Sequence, residues 1–220
     1  MTIPTPYSDT TYFHRCINAK KTTDIQFFHL PQNTTMQRYV KRMKLPDKTK
    51  IPGLRPMEPK DVAQVAKLLA THLEKFKVHP EFTKEEIEHF FVPRDDVIES
   101  WVVPKASADE KEAESDEITD FISFYSLPST VLRNPNYTDV RVAYAYYIVS
   151  AQYTMEQLFE AALIIARDKE YDVFNSLNIM GYGEQFEQNK FSQGDGFLHY
   201  YFYNWRVRDI KEGDIALNFV

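Results

Sequence analysis

The spacing of apolar and polar positions changes several times along this chain, and each change predicts an element. Tyr12–Asn18 and Asp24–His29 carry the β-prone side chains of strands, with a polar turn at Lys20 and Lys21 between them. Pro46, Pro52 and Pro56 then mark an irregular connection. From Asp61 the period lengthens, and Val62, Val65, Leu68, Leu69, Leu73 and Phe76 fall on one helical stripe. A short helix with Ile87, Phe90 and Phe91 is expected from Thr83, where Glu86 completes a capping box. Val97–Val103 and Thr119–Leu127 read as a hairpin with a long insertion, and Arg141–Ser150 as a further strand. Thr154 and Gln157 cap a third helix bearing Met155, Leu158, Phe159, Ala162 and Ile165. A strand at Tyr171–Ser176, a short polar helix around Glu184–Gln188, an aromatic strand within Lys190–Arg206 and a last strand over 214–220 complete the pattern.

From residue 58 the predicted order is α-α-β-β-β-α-β-α-β-β, a mostly antiparallel run closing in a βαβ unit. This is the order of an acetyltransferase-like α/β fold (an α+β mixed sheet), a mostly antiparallel sheet flanked by helices. Residues 1–220 read as one domain, in which 1–57 supply leading strands and a crossover and 105–117 an acidic surface loop. Hydrophobic residues make up 43% of the 220, enough for a substantial core. The loop holds six acids and two lysines, so most of the net charge of −6 is local to it. Between Arg38 and Arg55 the balance reverses, with seven Lys/Arg against Asp47. That stretch is either a solvated crossover or a contact for phosphates or an acidic partner. No basic and aromatic groove argues for nucleic acid. The single cysteine, Cys16, makes no internal disulfide and is expected to be an inert thiol in a reducing compartment. With no signal peptide and no apolar run near about 20 residues, the expectation is a soluble cytoplasmic protein without a membrane span.

Several constellations suggest chemistry. Gly194-Asp195-Gly196 resembles a phosphate cradle, but it follows a predicted helix and precedes a strand, the reverse of what an anion site at a helix N-terminus needs. Phe191 also stands where an acyl-CoA loop would want Arg or Gln. Two readings stay open: a tight turn whose glycines permit φ > 0, or an exposed Asp195 lining a cleft. Tyr12 and His14 lie two apart on a strand and share a face. His14 is then a base or hydrogen-bond donor in a groove, or a satisfied structural histidine. Glu85 and His89 are four apart but lack a third ligand, so no metal site is expected. The 14 tyrosines, among them Tyr144, Tyr146, Tyr147, Tyr200, Tyr201 and Tyr203, suit a core or the walls of an extended-peptide site. The apolar end Ala216–Val220 lies close after Asp195, which suggests a use for the terminal carboxylate.

Six segments carry a resemblance. They are Tyr12-Phe-His-Arg15, Thr34-Thr-Met-Gln-Arg38, Gly53-Leu-Arg-Pro-Met-Glu-Pro-Lys-Asp61, Ser123-Phe-Tyr-Ser-Leu-Pro-Ser-Thr130, Asp172-Val-Phe-Asn175 and Lys190–Gly196. In order and over nearly the whole chain, they resemble the C-terminal half of glycylpeptide N-tetradecanoyltransferases (N-myristoyltransferases). The resemblance implies transfer of a myristoyl group from myristoyl-CoA, as co-substrate, to the N-terminal glycine amine of peptides or proteins. It implies that this half lines the peptide groove with Tyr12, His14, Phe27, Ser129, Tyr144, Asp195, Gly196 and Leu198. The carboxylate of Val220 would be the catalytic base. An N-terminal half would bind most of the acyl-CoA, so this chain alone is expected to be inactive. The alternative is a non-catalytic peptide-binding or interaction module of the same descent. Ser192 replaces the first glycine of the family's Lys-Phe-Gly-x-Gly-Asp-Gly signature, which would strain a turn there. Ile148 stands where the family often has Asn, which puts a polar contact beside the groove in question.

Overall fold

The computed structural model describes residues 5–105, 117–207 and 210–218. In chain order they form β1 (Ser8–Cys16), α1 (Ala19–Asp24), α2 (Met36–Met43), β2 (Arg55–Pro56), α3 (Val62–Leu73), α4 (Lys84–Phe91), β3 (Ile98–Pro104) and β4 (Ile118–Ser126). There follow β5 (Ser129–Thr130), β6 (Asp139–Val140), β7 (Val142–Val149), α5 (Met155–Asp168), β8 (Val173–Leu177) and β9 (Ser192–Tyr200). Seven strands make one sheet in the order β2-β3-β4-β7-β8-β1-β9, and β5 pairs with β6 as a small arm. Every neighbouring pair in the large sheet is antiparallel except β7 and β8. Those two are the strands that α5 connects, so the predicted sheet, mostly antiparallel and closing in a βαβ unit, is what the chain adopts.

Local chemistry explains where the helices start. Thr83 accepts from the Glu86 N–H at 3.2 Å while Glu86 accepts from the Thr83 N–H at 2.8 Å. Thr154 and Gln157 make the same reciprocal pair ahead of α5, and each pair satisfies two donors a helix end leaves orphaned. The loop into α5 is held from below. The buried Asp120 carboxylate on β4 accepts from the N–H groups of Ala151, Gln152 and Tyr153 at 2.9, 3.1 and 3.0 Å. Ser123 on β4 bridges to β7 by accepting from the Tyr147 N–H and donating to the Tyr147 carbonyl. The core over this sheet is aromatic. Phe91 stacks on Tyr146 with ring centroids 5.1 Å apart, and Phe159 meets Phe174, Tyr182, Phe186 and Phe191 edge-on.

The structure corrects several expectations. Asp24–His29 is not a strand. Asn18 caps the six-residue helix α1, and Gln26 turns the chain at φ 62°. Ile25 and Phe28 then pack on Val140, Val142 and Val173, an i, i+3 pattern that β propensity masks. Lys20 and Lys21 accordingly lie on α1, and α2 follows where no element was read. Gly194-Asp195-Gly196 is not a tight turn but part of β9, and neither glycine has positive φ. Ser192 is likewise ordinary strand, its hydroxyl donating to the His14 carbonyl at 3.3 Å, so the expected strain is absent there. The last segment forms no strand among its described residues. Ile215 makes one parallel bridge with Val78, and the carbonyls that follow meet tyrosine hydroxyls instead of a ladder. The polar helix predicted around 184–188 is a single 3-10 turn at Tyr182–Gln185. The acidic insertion falls largely on 106–116, outside the described residues.

A tyrosine-lined groove as candidate functional site

β1 lies between β8 and β9, which places Tyr12 and His14 against three elements at once. Tyr12 faces Leu177 and His14 faces Asn175 on β8. On its other side β1 meets an irregularity. Thr11 pairs with Phe197 and Phe13 with Gln193, so Gly194, Asp195 and Gly196 stand opposite the single residue Tyr12. The glycine-rich segment is therefore a β-bulge, the device that re-aims a strand beside a site. A Cβ on Gly194 would fall on the His14 ring, 2.7 Å from Cδ2 and 3.1 Å from the Tyr12 carbonyl. One on Gly196 would meet Tyr12 Cδ2 at an ordinary 3.5 Å. The first glycine is needed for close approach rather than for a left-handed backbone.

The His14 ring is fixed on its other side as well. Nδ1 lies 2.6 Å from Asn175 Oδ1, and an amide oxygen only accepts, so Nδ1 donates in this contact and Nε2 faces Gly194. Phe27 meets the ring edge-on at 5.7 Å. Tyr12 meets Tyr144 edge-on at 6.3 Å, and Tyr144 stacks on Tyr125 at 5.3 Å. Burial, then the neighbouring Tyr144, raises the Tyr12 phenol above its ordinary pKa. Burial alone pushes Tyr146 up to about 12, and burial with Tyr12 does the same for Tyr200. The Tyr12, Tyr146 and Tyr200 hydroxyls stay protonated through the physiological range and can donate.

Two tyrosine hydroxyls donate to the chain's last described residues. Tyr147 reaches the Ala216 carbonyl at 3.1 Å and Tyr200 the Leu217 carbonyl at 2.7 Å. Asn218 returns the contact, its Nδ2 donating to the carbonyls of Ala145 and Tyr146, both at 2.9 Å. The tail thus crosses the middle of the sheet beside the tyrosines. Val220 itself lies outside the described residues.

Of the residues expected to line a groove, contacts join Tyr12, His14, Phe27, Tyr144 and Gly196. Asp195 is exposed at the bulge between them, and Leu198 is half-buried opposite Thr10, two residues along β9. Ser129 sits on the β5–β6 arm, opposite Val140, and Val140 packs with Phe28 and Tyr144. Ile148 is fully buried, its N–H donating to the Tyr182 hydroxyl at 2.8 Å, so it belongs to the core and not to the groove surface. Asn175, Tyr125 and Asn218 join the site unannounced. The first two lie within quoted segments, but only strand pairing shows that they face His14 and Tyr144. Cys16 is fully buried against Thr22, and burial raises its thiol pKa, as an inert cysteine requires. Glu85 and His89 are exposed on α4, and among the described residues no cluster of potential ligands could hold a metal. No helix of the described residues is long and apolar enough to cross a membrane.

Comparison with known proteins identifies the family of the chain. Residues 24–217 match the family model described as myristoyl-CoA:protein N-myristoyltransferase, C-terminal domain. The chain is 43% identical over 216 residues to glycylpeptide N-tetradecanoyltransferase 1 of Arabidopsis thaliana, covering 98% of itself and 48% of that protein. It is 43% identical over 215 residues to the Drosophila melanogaster glycylpeptide N-tetradecanoyltransferase, covering 44% of it. It therefore spans about half the length of the curated relatives it matches. The crystal structure of Saccharomyces cerevisiae N-myristoyltransferase with bound myristoyl-CoA superposes with a TM-score of 0.90 at 30% identity, over all of this chain and 59% of that one.

Proposed function

Since this chain belongs to the myristoyl-CoA:protein N-myristoyltransferase C-terminal domain family, we propose that it forms the glycyl-peptide half of a myristoyl transfer site. A second, N-terminal half supplies most of the acyl-CoA pocket and the oxyanion donors. The observation that carries this reading is the tail held against the sheet beside Tyr12 and Tyr144 by Tyr147, Tyr200 and Asn218. In this reading the carboxylate of Val220 is the base that takes the proton from the glycine amine.

In this proposal Tyr12, His14, Phe27, Ser129, Tyr144, Asp195, Gly196 and Leu198 line the path of a protein's N-terminus. Tyr12 and Tyr144 offer flat apolar walls with hydroxyl donors, and the exposed Asp195 offers a carboxylate to a cationic amine or side chain. The glycine amine has an unperturbed pKa of about 7.7–8.0 and must lose a proton before it attacks. A free terminal carboxyl sits near 3.3–3.7, so transfer to it is uphill by roughly 5–6 kcal/mol in water. Desolvation raises a carboxylate's pKa and lowers an ammonium's, so the buried tyrosines and the apolar tail shrink that gap. The amine nitrogen then forms the amide bond as the thioester C–S bond of myristoyl-CoA breaks, and the departing thiolate takes up the second proton shed by nitrogen. An oxyanion donor, worth about 3–4 kcal/mol, comes from the other half. The buried free Cys16 suits a reducing, cytoplasmic setting.

The test is reconstitution. Joined or mixed with the N-terminal half of a relative, the chain should convert a glycine-started peptide to its myristoyl amide and leave an alanine-started one unchanged. Adding one alanine after Val220 should lower kcat by about a hundredfold, the usual weight of a general base, with little change in the peptide KM. Full activity in the extended variant would remove the terminal carboxylate from the mechanism. Peptide binding with no turnover in any reconstituted form would favour a non-catalytic peptide-binding module instead.

A further inference from the structure

A concavity lies away from the tyrosine cluster, between the β1–α1 junction, α2 and the C-terminal end of α5. Met36, Val40 and Met43 recur on one face of α2, and Ile17, Leu45 and Tyr171 close the space opposite them. The cavity has a volume of about 960 Å3. That is near the upper end of sites that take small molecules, which run from about 300 to 1,000 Å3. Its walls are held from several sides. The buried Arg15 donates to the Met43 carbonyl at 3.0 Å, and Lys190 donates to the Arg42 carbonyl at 2.8 Å. Arg167 on α5 donates to the carbonyls of Pro46 and Asp47 just beyond α2. Tyr39 seats α2 on Cys16 and Ala19. The space is preformed, so a ligand need not order it.

The charges around it have one sign in excess. Lys20, Lys41, Lys44 and Arg167 stand against Asp47 and Glu170 in a chain whose net charge is −6. Lys44 is engaged with Asp47 at 3.6 Å, and Arg167 with Asp168 at 2.7 Å. Lys20 and Lys41 are exposed and form no ion pair among the described residues. An apolar interior beneath two uncommitted cations fits a ligand with an aliphatic body and an anionic head. A flat bilayer surface cannot enter a concavity, so the chain must be presented as a single molecule.

We propose that this cavity binds an anionic amphiphile, its hydrocarbon chain against Met36, Val40 and Met43 and its carboxylate or phosphate head at Lys20 and Lys41. Nothing in this proposal depends on acyl transfer, and it is read by binding alone. The methionine methyls are natural reporters: Met36 and Met43 line the cavity, whereas Met57, Met155 and Met180 lie in or against the main core. The experiment is a methyl NMR titration with tetradecanoate, tetradecyl phosphate and the uncharged tetradecanol, each kept below its aggregation limit. The expected result is saturable shifts of the Met36 and Met43 methyls with the charged probes, at least tenfold weaker binding of the alcohol, and a similar loss in the Lys20→Glu, Lys41→Glu double variant. Unchanged Met57 and Met180 resonances verify that this surface variant is folded. Preference between the two charged probes identifies a fatty carboxylate or a lipid phosphate as the head. Absence of shifts at Met36 and Met43, equal affinity for the alcohol, or full affinity in the double variant overturns the proposal. Saturation of these two methyls only by an acidic amphipathic peptide also overturns it, and assigns the groove to a protein partner.

Discussion

Gly194 and Gly196 look alike in the sequence and differ in what they face. The Cβ of Gly194→Ala must displace the His14 ring or the Tyr12 carbonyl, whereas that of Gly196→Ala makes an ordinary contact with Tyr12. The first should cost about 1–3 kcal/mol by overpacking and the second well under that, a contrast readable by urea denaturation. Asn175→Ala leaves the His14 Nδ1–H without its acceptor and should cost about 1–3 kcal/mol. His72 makes a different prediction. It is buried with neither ring nitrogen hydrogen-bonded, and burial, helped by Lys75, lowers its pKa from 6.5 to about 4. Its folded pKa lies below the unfolded one, so the unfolded chain binds the proton first and stability falls as pH drops from about 6.5 toward 4. The loss attributable to His72 should reach about 2 kcal/mol by pH 5. His72→Leu should flatten this part of the stability profile; an unchanged acid limb would show that another group carries it.

At the scale of elements, α5 begins where it does because Thr154 and Gln157 cap its first turn while Asp120 holds the loop that leads into it. Thr154→Ala should cost about 1 kcal/mol, the usual value of a lost N-cap. Asp120→Ala should cost more, about 3 kcal/mol or above, because three loop N–H groups lose a charged acceptor in a buried place. Asp120→Asn keeps one oxygen there and should fall between the two. Thermal melts that ranked Thr154→Ala as the worst of the three would refute this account. Capping boxes are legible in sequence because three residues contain them. Asp120, 31 residues before the loop it holds, is invisible without the β4–β7 pairing. The same difference explains Asp24–His29. Its side chains are β-prone, but the cluster of Val140, Val142 and Val173 into which Ile25 and Phe28 fold comes from distant strands.

For the whole molecule, the notable surface is the open edge of β9 and the segment beyond it. Phe197, Tyr201, Tyr203 and Trp205 are exposed there, at 57%, 49%, 87% and 75%. An unpaired edge strand with adjoining aromatic surface invites another chain. The chain by itself should therefore associate as concentration rises, and Phe197→Lys with Trp205→Lys should suppress this in sedimentation experiments. Concentration-independent monomers of the unmodified chain would indicate that the surface is not adhesive.

The sequence by itself determined the run of longer helices and strands from α3 to β9, both capping boxes, the βαβ closure and the six family segments that identify the chain. These rest on neighbours a few residues apart, where periodicity and hydrogen-bond reach are set by the local backbone. Only the tertiary structure decided that Gly194–Gly196 is a bulge against His14, that Asn175 accepts from His14 Nδ1, and that Tyr147 and Tyr200 hold the tail. Each of these depends on which strands become neighbours, and strand pairing joins residues up to 192 positions apart, as Ser8 and Tyr200 are. A linear pattern shows which residues can pair, but register and burial select which of them meet.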